Sequence, residues 1–215
     1  MGRYPLKQET LPEGVYINPF LERSELIGKT TSTVVENLTL GALIVIFVVM
    51  FVLFLPQPLS QNFLVDVRNV SLIQIGQLLS VTSIGVVLLN LLLGQLNASL
   101  GFVLAQAAMA LFAIFIWRGQ SLTWYFMAYF LLGSYRTARS LATAQGRSLV
   151  EGRQMGIAYG WIETIASVAM FLAPPLAGVL YSIEPALVYP ISIGLIGAGI
   201  LFTLLFSPLR SQEVL

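Results

Sequence analysis

The sequence predicts an all-α integral membrane protein with six transmembrane helices, and three observations carry that expectation. Hydrophobic residues make up 57% of the 215 positions and charged residues 10%, where a soluble domain usually carries about 25% charged residues. Mean hydropathy is +0.84. The 11 basic and 10 acidic residues are also clustered, with nine of them in the first 36 positions and six between 136 and 163. One water-facing globule of this size cannot bury so large an apolar excess, and the uncharged gaps are the stretches suited to lipid.

A helix needs roughly 20 apolar residues to cross the hydrocarbon core. Residues 38–56 form the clearest span. The stretch from Asn69 to Trp117 carries no charge and is too long for one crossing. It divides at the Gly94–Gly101 segment, which gives spans near 72–94 and 100–117. A fourth span runs over about 122–144, a fifth over 155–181 and a sixth over 187–207. Backbone groups in lipid must satisfy one another, so these spans are helices. Barrel strands would alternate apolar and polar residues, and Phe47–Leu55 does not.

The absent residue types exclude several chemistries. With no cysteine there are no disulfides, thiolate metal sites or cysteine nucleophiles, and with no histidine the usual proton shuttle and commonest metal ligand are missing. No metal cluster, nucleophile–base pair or phosphate loop is visible, so neither an enzyme nor a cofactor is expected. A net charge of +1 without a basic tract argues against nucleic acid.

Basic residues favour the cytoplasmic side. With the N-terminus inside, nine basic residues fall on or toward that side, including Arg136, Arg139, Arg147 and Arg153, and only Arg68 and Arg118 fall outside. The expected organisation is a polar cytoplasmic extension over 1–36, a six-helix transmembrane domain over 37–208 and a short cytoplasmic tail over 209–215. The protein is expected in the inner (plasma) membrane with both termini cytoplasmic. The first 36 residues lack the apolar region of a signal peptide.

Polar residues within the spans are the candidate functional groups. Tyr125, Tyr129, Arg136, Ser140 and Thr143 recur at helical spacing, so one face of span four is expected to hold them. Span five carries Tyr159, Glu163 and Ser167 four residues apart. An isolated charge near the middle of a span costs roughly 2.5–3.5 kcal/mol on insertion scales, so Arg136 and Glu163 are expected to pair, with Arg139 as the competing partner. The pair either fixes helix register or serves to bind substrate, gate or take up a proton. Gln77, Ser80, Ser83 and Asn90 lie along one side of span two and suit interhelical hydrogen bonds. Gln57 and Gln61, beside the prolines that close span one, are candidates for an outer vestibule.

In span five, Gly156, Gly160 and Thr164 recur every four residues, as do Ala169, Ala173 and Ala177, and small residues at this period let helices approach closely. Pro174 and Pro175 are expected to kink or break its outer half. Spans three and six are the least polar and are expected to face lipid.

Several of these motifs resemble a known family. Gly76-Gln77-Leu78-Leu79, then Gly94-Gln95-Leu96 and Gly101, resembles the second and third helices of the C-terminal half of major facilitator superfamily transporters. Met155–Gly160, Glu163-Thr164 and Ala173–Tyr181 resembles that family's eleventh helix. The likeness covers about 38–207. It implies a half bundle built as a 3+3 repeat, with spans one and four lining a cavity, two and five at the interface between halves, and three and six peripheral. The first 36 residues would be the connector between halves. The 94–101 loop departs from the family pattern, because Asn97, Ala98 and Ser99 stand where charged residues are usual.

The resemblance implies a secondary active transporter, or half-transporter, that moves a small solute by alternating access, with Glu163 as the group available for proton coupling. The implied partners are the bilayer, a small-molecule substrate and a second six-helix half, supplied by a separate chain or by a homodimer. The alternative is a non-transporting membrane protein of the same fold that serves as an interaction partner.

Overall fold

The computed structural model describes residue 41 and residues 43–147 and 155–206. The expected extension over 1–36, most of the 145–154 connection and the 209–215 tail lie outside the described residues. Helix α1 spans Leu43–Phe54. It is followed by α2 (Ser60–Asp66), α3 (Leu72–Gly94), α4 (Ala98–Arg118), α5 (Leu122–Leu132), α6 (Ser134–Arg147), α7 (Met155–Ile183) and α8 (Val188–Phe206).

Local chemistry sets the boundaries. Pro56 and Pro58 offer no backbone N–H to continue α1, and the Gln57 side chain donates to the Leu53 carbonyl at 2.8 Å, which satisfies one of the orphan acceptors of that helix end. Asn69 turns the chain with a left-handed φ of 56°, a region that asparagine visits more readily than most residues. Ser71 then opens α3 with a reciprocal cap, in which the Gln74 N–H donates to its hydroxyl (3.3 Å) and its own N–H donates to Gln74 Oε1 (3.0 Å). Asn97 caps α4 by accepting from the Leu100 N–H at 2.8 Å.

Three helices among the described residues are long and apolar enough to cross a membrane, at Leu72–Gly94, Ala98–Arg118 and Tyr159–Ile183. Leu43–Phe54 and Val188–Leu204 are apolar but shorter. The element count differs from the expected six because span four is two helices, meeting at Gly133, and because α2 forms after the prolines. The Gly133 backbone stays right-handed (φ −55°, ψ −27°), so α6 runs on from α5 across a one-residue interruption.

The chain threads up and down. At one end, Arg68 donates to the Trp117 carbonyl at 2.5 Å and the Tyr181 hydroxyl to Asp66 at 3.2 Å, which gathers α2 and the C-terminal ends of α4 and α7. At the other end, Gly101 lies against the Leu93 carbonyl and the Leu141 side chain. Helix α4 is the centre, packed against α8, α6 and α5. Buried residues make up 44% of its apolar window, against 17% for α3 and 22% for α7. The expectation that spans three and six face lipid is therefore corrected for α4. Lipid tails are as apolar as leucine, so low polarity does not separate a lipid-facing helix from a central one.

Close backbone approach also falls elsewhere than expected. Gly156 and Gly160 are exposed, and an added Cβ at either would meet nothing within 4 Å. The tight contact joins α3 to the α5–α6 junction, where a Cβ on Gly85 would strike the Phe130 carbonyl and one on Gly133 would strike the backbone of Gly85 and Val86. Ala169, Ala173 and Ala177 are fully buried, as their spacing suggests. Helix α7 continues unbroken through Pro174 and Pro175.

Replacing Gly85 or Gly133 with Ala should lower thermal stability by at least the roughly 1–3 kcal/mol typical of overpacking, because the obstacle is backbone. Gly156→Ala should be neutral or stabilising by a few tenths of a kcal/mol, given alanine's helix propensity. Unfolding followed by circular dichroism in detergent ranks the variants, and equal midpoints for Gly85→Ala and Gly156→Ala would refute the assignment.

Candidate functional site: an ion pair on the α6–α7 seam

Helix α6 presents two unlike faces. Ser134, Tyr135, Thr137, Ala138, Leu141 and Ala142 are buried, whereas Arg136 and Ser140 are exposed. At about 100° per residue, Arg139 falls at the rim of the buried arc and Arg136 about 180° from its centre. The ion pair accordingly forms between Arg139 and Glu163, the competing arrangement, and not between Arg136 and Glu163. Arg139 Nη2 donates to Glu163 Oε2, and its Nη1 lies 3.8 Å from Met170 Sδ, one α7 turn beyond Ala166. The side chains are 30% and 47% exposed, so Glu163 is the more accessible partner.

The Tyr135 side chain lies one helical turn before Arg139. Its ring packs against Phe54 at 5.5 Å between centroids. The residue is 7% exposed and its hydroxyl has no hydrogen-bond partner among the described residues. Thr137 Oγ1 is likewise buried and unpartnered, but on the opposite rim of the arc from Arg139. Beside Glu163, an open depression of about 450 Å³ is lined by Glu163, Thr164, Ser167, Val168 and Phe171. All five come from α7, so this is an exposed face of one helix rather than a cavity between helices.

The remaining candidates are placed as follows. Tyr125 and Tyr129 are core residues. The Tyr125 hydroxyl donates to the Gly119 carbonyl at 2.9 Å and that of Tyr129 lies 3.3 Å from Ser60 Oγ, while its ring meets Phe112 edge-on. They do not share an open face with Arg136, because α2 and α4 cover α5 there and leave that side of α6 uncovered. Gln57 closes α1, and Gln61 is exposed. Pro174 is half-buried and Pro175 exposed.

Two exposed stripes flank α6. Gly76, Ser80, Ser83, Val87, Asn90 and Gly94 follow one another at spacings of four and three along α3. Gly156, Gly160, Thr164, Ser167, Pro175 and Gly178 do so along α7, with Phe171 between. The Ser80, Ser83, Thr164 and Ser167 hydroxyls each donate to the carbonyl four residues back, so they need no partner from outside the helix.

Two features escaped the sequence reading. Gln106 Nε2 donates to Thr203 Oγ1 at 3.1 Å, which joins α4 to α8 deep in the core. The Arg139–Glu163 pairing had a signal in Ala138 and Ala142, which mark the packed side of α6 and leave Arg139 at its rim.

Compared with family models, with curated proteins and with solved structures, the chain finds no match in any of the three. The likeness to major facilitator transporters thus rests on the motifs alone.

Truncating Arg139 to Ala should leave a half-buried carboxylate unpaired and lower stability by about 1–3 kcal/mol, between the values for exposed and buried pairs. The double variant Arg139→Leu/Glu163→Leu should recover most of that loss. Thermal melts of the two variants in one detergent check it, and a double variant less stable than Arg139→Ala would contradict a net-neutral pair.

Proposed function

We propose that the chain is a six-crossing half of a secondary transporter, which moves a small solute by alternating access, and that Arg139 and Glu163 belong to its solute and coupling machinery. The observation that carries this reading is the Arg139–Glu163 ion pair, part-exposed on the α6–α7 seam, whose acid lies on a helix long and apolar enough to cross a membrane. Ionisable groups within spans are costly and usually serve function. In this reading a second half, from another chain or a second copy, packs against the exposed face of α7 beside Glu163. The exposed small-residue stripes of α3 and α7 support the same reading, since such faces suit helix–helix contact in lipid. The motif likeness to the major facilitator superfamily, with both termini on the cytoplasmic side of the inner membrane, is part of this proposal.

Purification in mild detergent should give an assembly of at least roughly double the 23.5 kDa of one chain. Bulky replacements on the exposed stripes, Ser83→Trp and Gly160→Trp, should abolish that assembly while leaving the single-chain melting midpoint nearly unchanged, because surface changes usually stay within about 0.5 kcal/mol. Solute flux in proteoliposomes should be lost in the same variants. A strictly monomeric protein without flux for any solute would favour the non-transporting alternative.

A further inference from the structure

We propose that a cleft between α1 and α8, floored by α4, binds an uncharged, elongated, apolar molecule through one terminal hydroxyl that donates to Gln106 Oε1. The cleft shares no lining residue with the α6–α7 seam, and its chemistry is the same whether or not the chain transports a solute.

Shape and lining set the class of ligand. The cleft has a volume of about 360 Å³, within the range of roughly 300–1,000 Å³ usual for small-molecule sites. An apolar cavity of about 150 Å³ holds benzene, so this cleft suits a body of roughly twice that size. Its lining runs from Ile44 to Leu53 on α1 and from Leu195 to Phe202 on α8, which at about 1.5 Å per residue makes it roughly 10–13 Å long. Val49, Leu53 and Ile196 are buried at its floor, whereas Ile44, Val48 and Leu195 are exposed at its rim. Three helices wall it, unlike the face of α7 beside Glu163. No ionisable side chain is among its lining residues, so a charged ligand would leave its charge unpaired there.

The polar side chain in the lining is Gln106, which is 1% exposed. Its orientation follows from its neighbour. The Thr203 hydroxyl donates its single proton to the Gly199 carbonyl at 2.9 Å, so toward Gln106 it can only accept. It does so from Nε2 at 3.1 Å, which turns Oε1 away from Thr203. That oxygen faces Gly199 on the α8 wall, where an added Cβ would stand 3.5 Å from it and meet nothing else within 4 Å. Gly199 thus leaves the oxygen uncovered on the cleft side. An amide oxygen accepts at two lone pairs, and a polar group held in apolar surroundings is costly unless it is hydrogen-bonded. A hydrocarbon chain offers it no donor, and a hydroxyl does. Gly199 lies toward the Phe202 end of the lining, so the hydroxyl belongs at one end of the ligand and the apolar body runs toward Leu195.

The full chain in lipid nanodiscs at about pH 8, where a carboxylic acid is ionised, is incubated with tritiated para-hexylphenol, and uptake by protein-free nanodiscs is subtracted. Unlabelled para-hexylphenol, hexylbenzene and para-hexylbenzoate then compete for the bound label. One saturable site per chain is expected. The phenol should displace the label about three- to tenfold better than hexylbenzene, the gain expected for one hydrogen bond, and the benzoate should not displace it. Gly199→Ala should weaken phenol binding about three- to tenfold, because its methyl crowds the amide oxygen at an ordinary contact distance and disturbs nothing else. Gln106→Leu should bind the phenol and hexylbenzene equally, and Gly156→Ala, on exposed α7, should bind as the unaltered chain does. Gly199→Ala decides by itself if Gln106→Leu fails to fold. Absence of a saturable site, phenol binding unchanged in Gly199→Ala, or displacement by the benzoate as strong as by the phenol would each overturn the proposal. Equal displacement by hexylbenzene and the phenol in the unaltered chain would also overturn it, and would make the cleft a seat for hydrocarbon such as a lipid acyl chain.

Discussion

Helix α3 meets the α5–α6 junction backbone to backbone at Gly85 and Gly133, and the arrangement of the polar residues depends on that contact. Helix α6 then packs against α4, α3 and α7. With α6 held there, its buried arc faces the bundle and Arg139 stands at the rim, next to α7. For helices that lie in lipid, burial from water contributes little, and van der Waals packing at small residues decides which surfaces meet. The same reasoning places α4 at the centre, where Gly101 and the fully buried Ala105 and Ala113 admit its neighbours.

The polar inventory divides by how it is satisfied. Hydroxyls on the exposed stripes bond back to their own helices. In the core, the Gln106 amide joins α4 to α8 through Thr203 and the Ser134 hydroxyl joins α6 to the Ala105 carbonyl of α4 at 3.2 Å, while the Ser192 hydroxyl bonds back to Val188 of its own helix. The Arg139–Glu163 pair belongs to neither group, since it joins two helices and yet stays open on one side. The Tyr135 hydroxyl beside it has no partner among the described residues. Unsatisfied buried groups are rare in native structures, and Thr137 Oγ1 and Arg68 Nε are the others among the described residues.

Helix positions were legible because hydropathy and charge gaps report directly on what can lie in lipid. The expected 72–94 span coincides with α3, and 155–181 differs from α7 only at its C-terminal end. Less legible was the division of span four. Gly133 reads as an ordinary small residue until Gly85, 48 positions earlier, is known to lie against it. The choice between Arg136 and Arg139 failed for a related reason. The two arginines lie three residues apart on α6, and only the direction in which that helix is packed separates them.

The sequence by itself determined that the chain is helical, that several helices suit a bilayer, and that Glu163 needs a basic partner, because each follows from the cost of placing charge and free backbone groups in hydrocarbon. The tertiary structure decided which arginine meets that acid, which glycines lie backbone to backbone, and that the least polar long helix is the most enclosed. These depend on the rotation and neighbours of each helix, and hydropathy carries no record of either when lipid and protein interior are equally apolar.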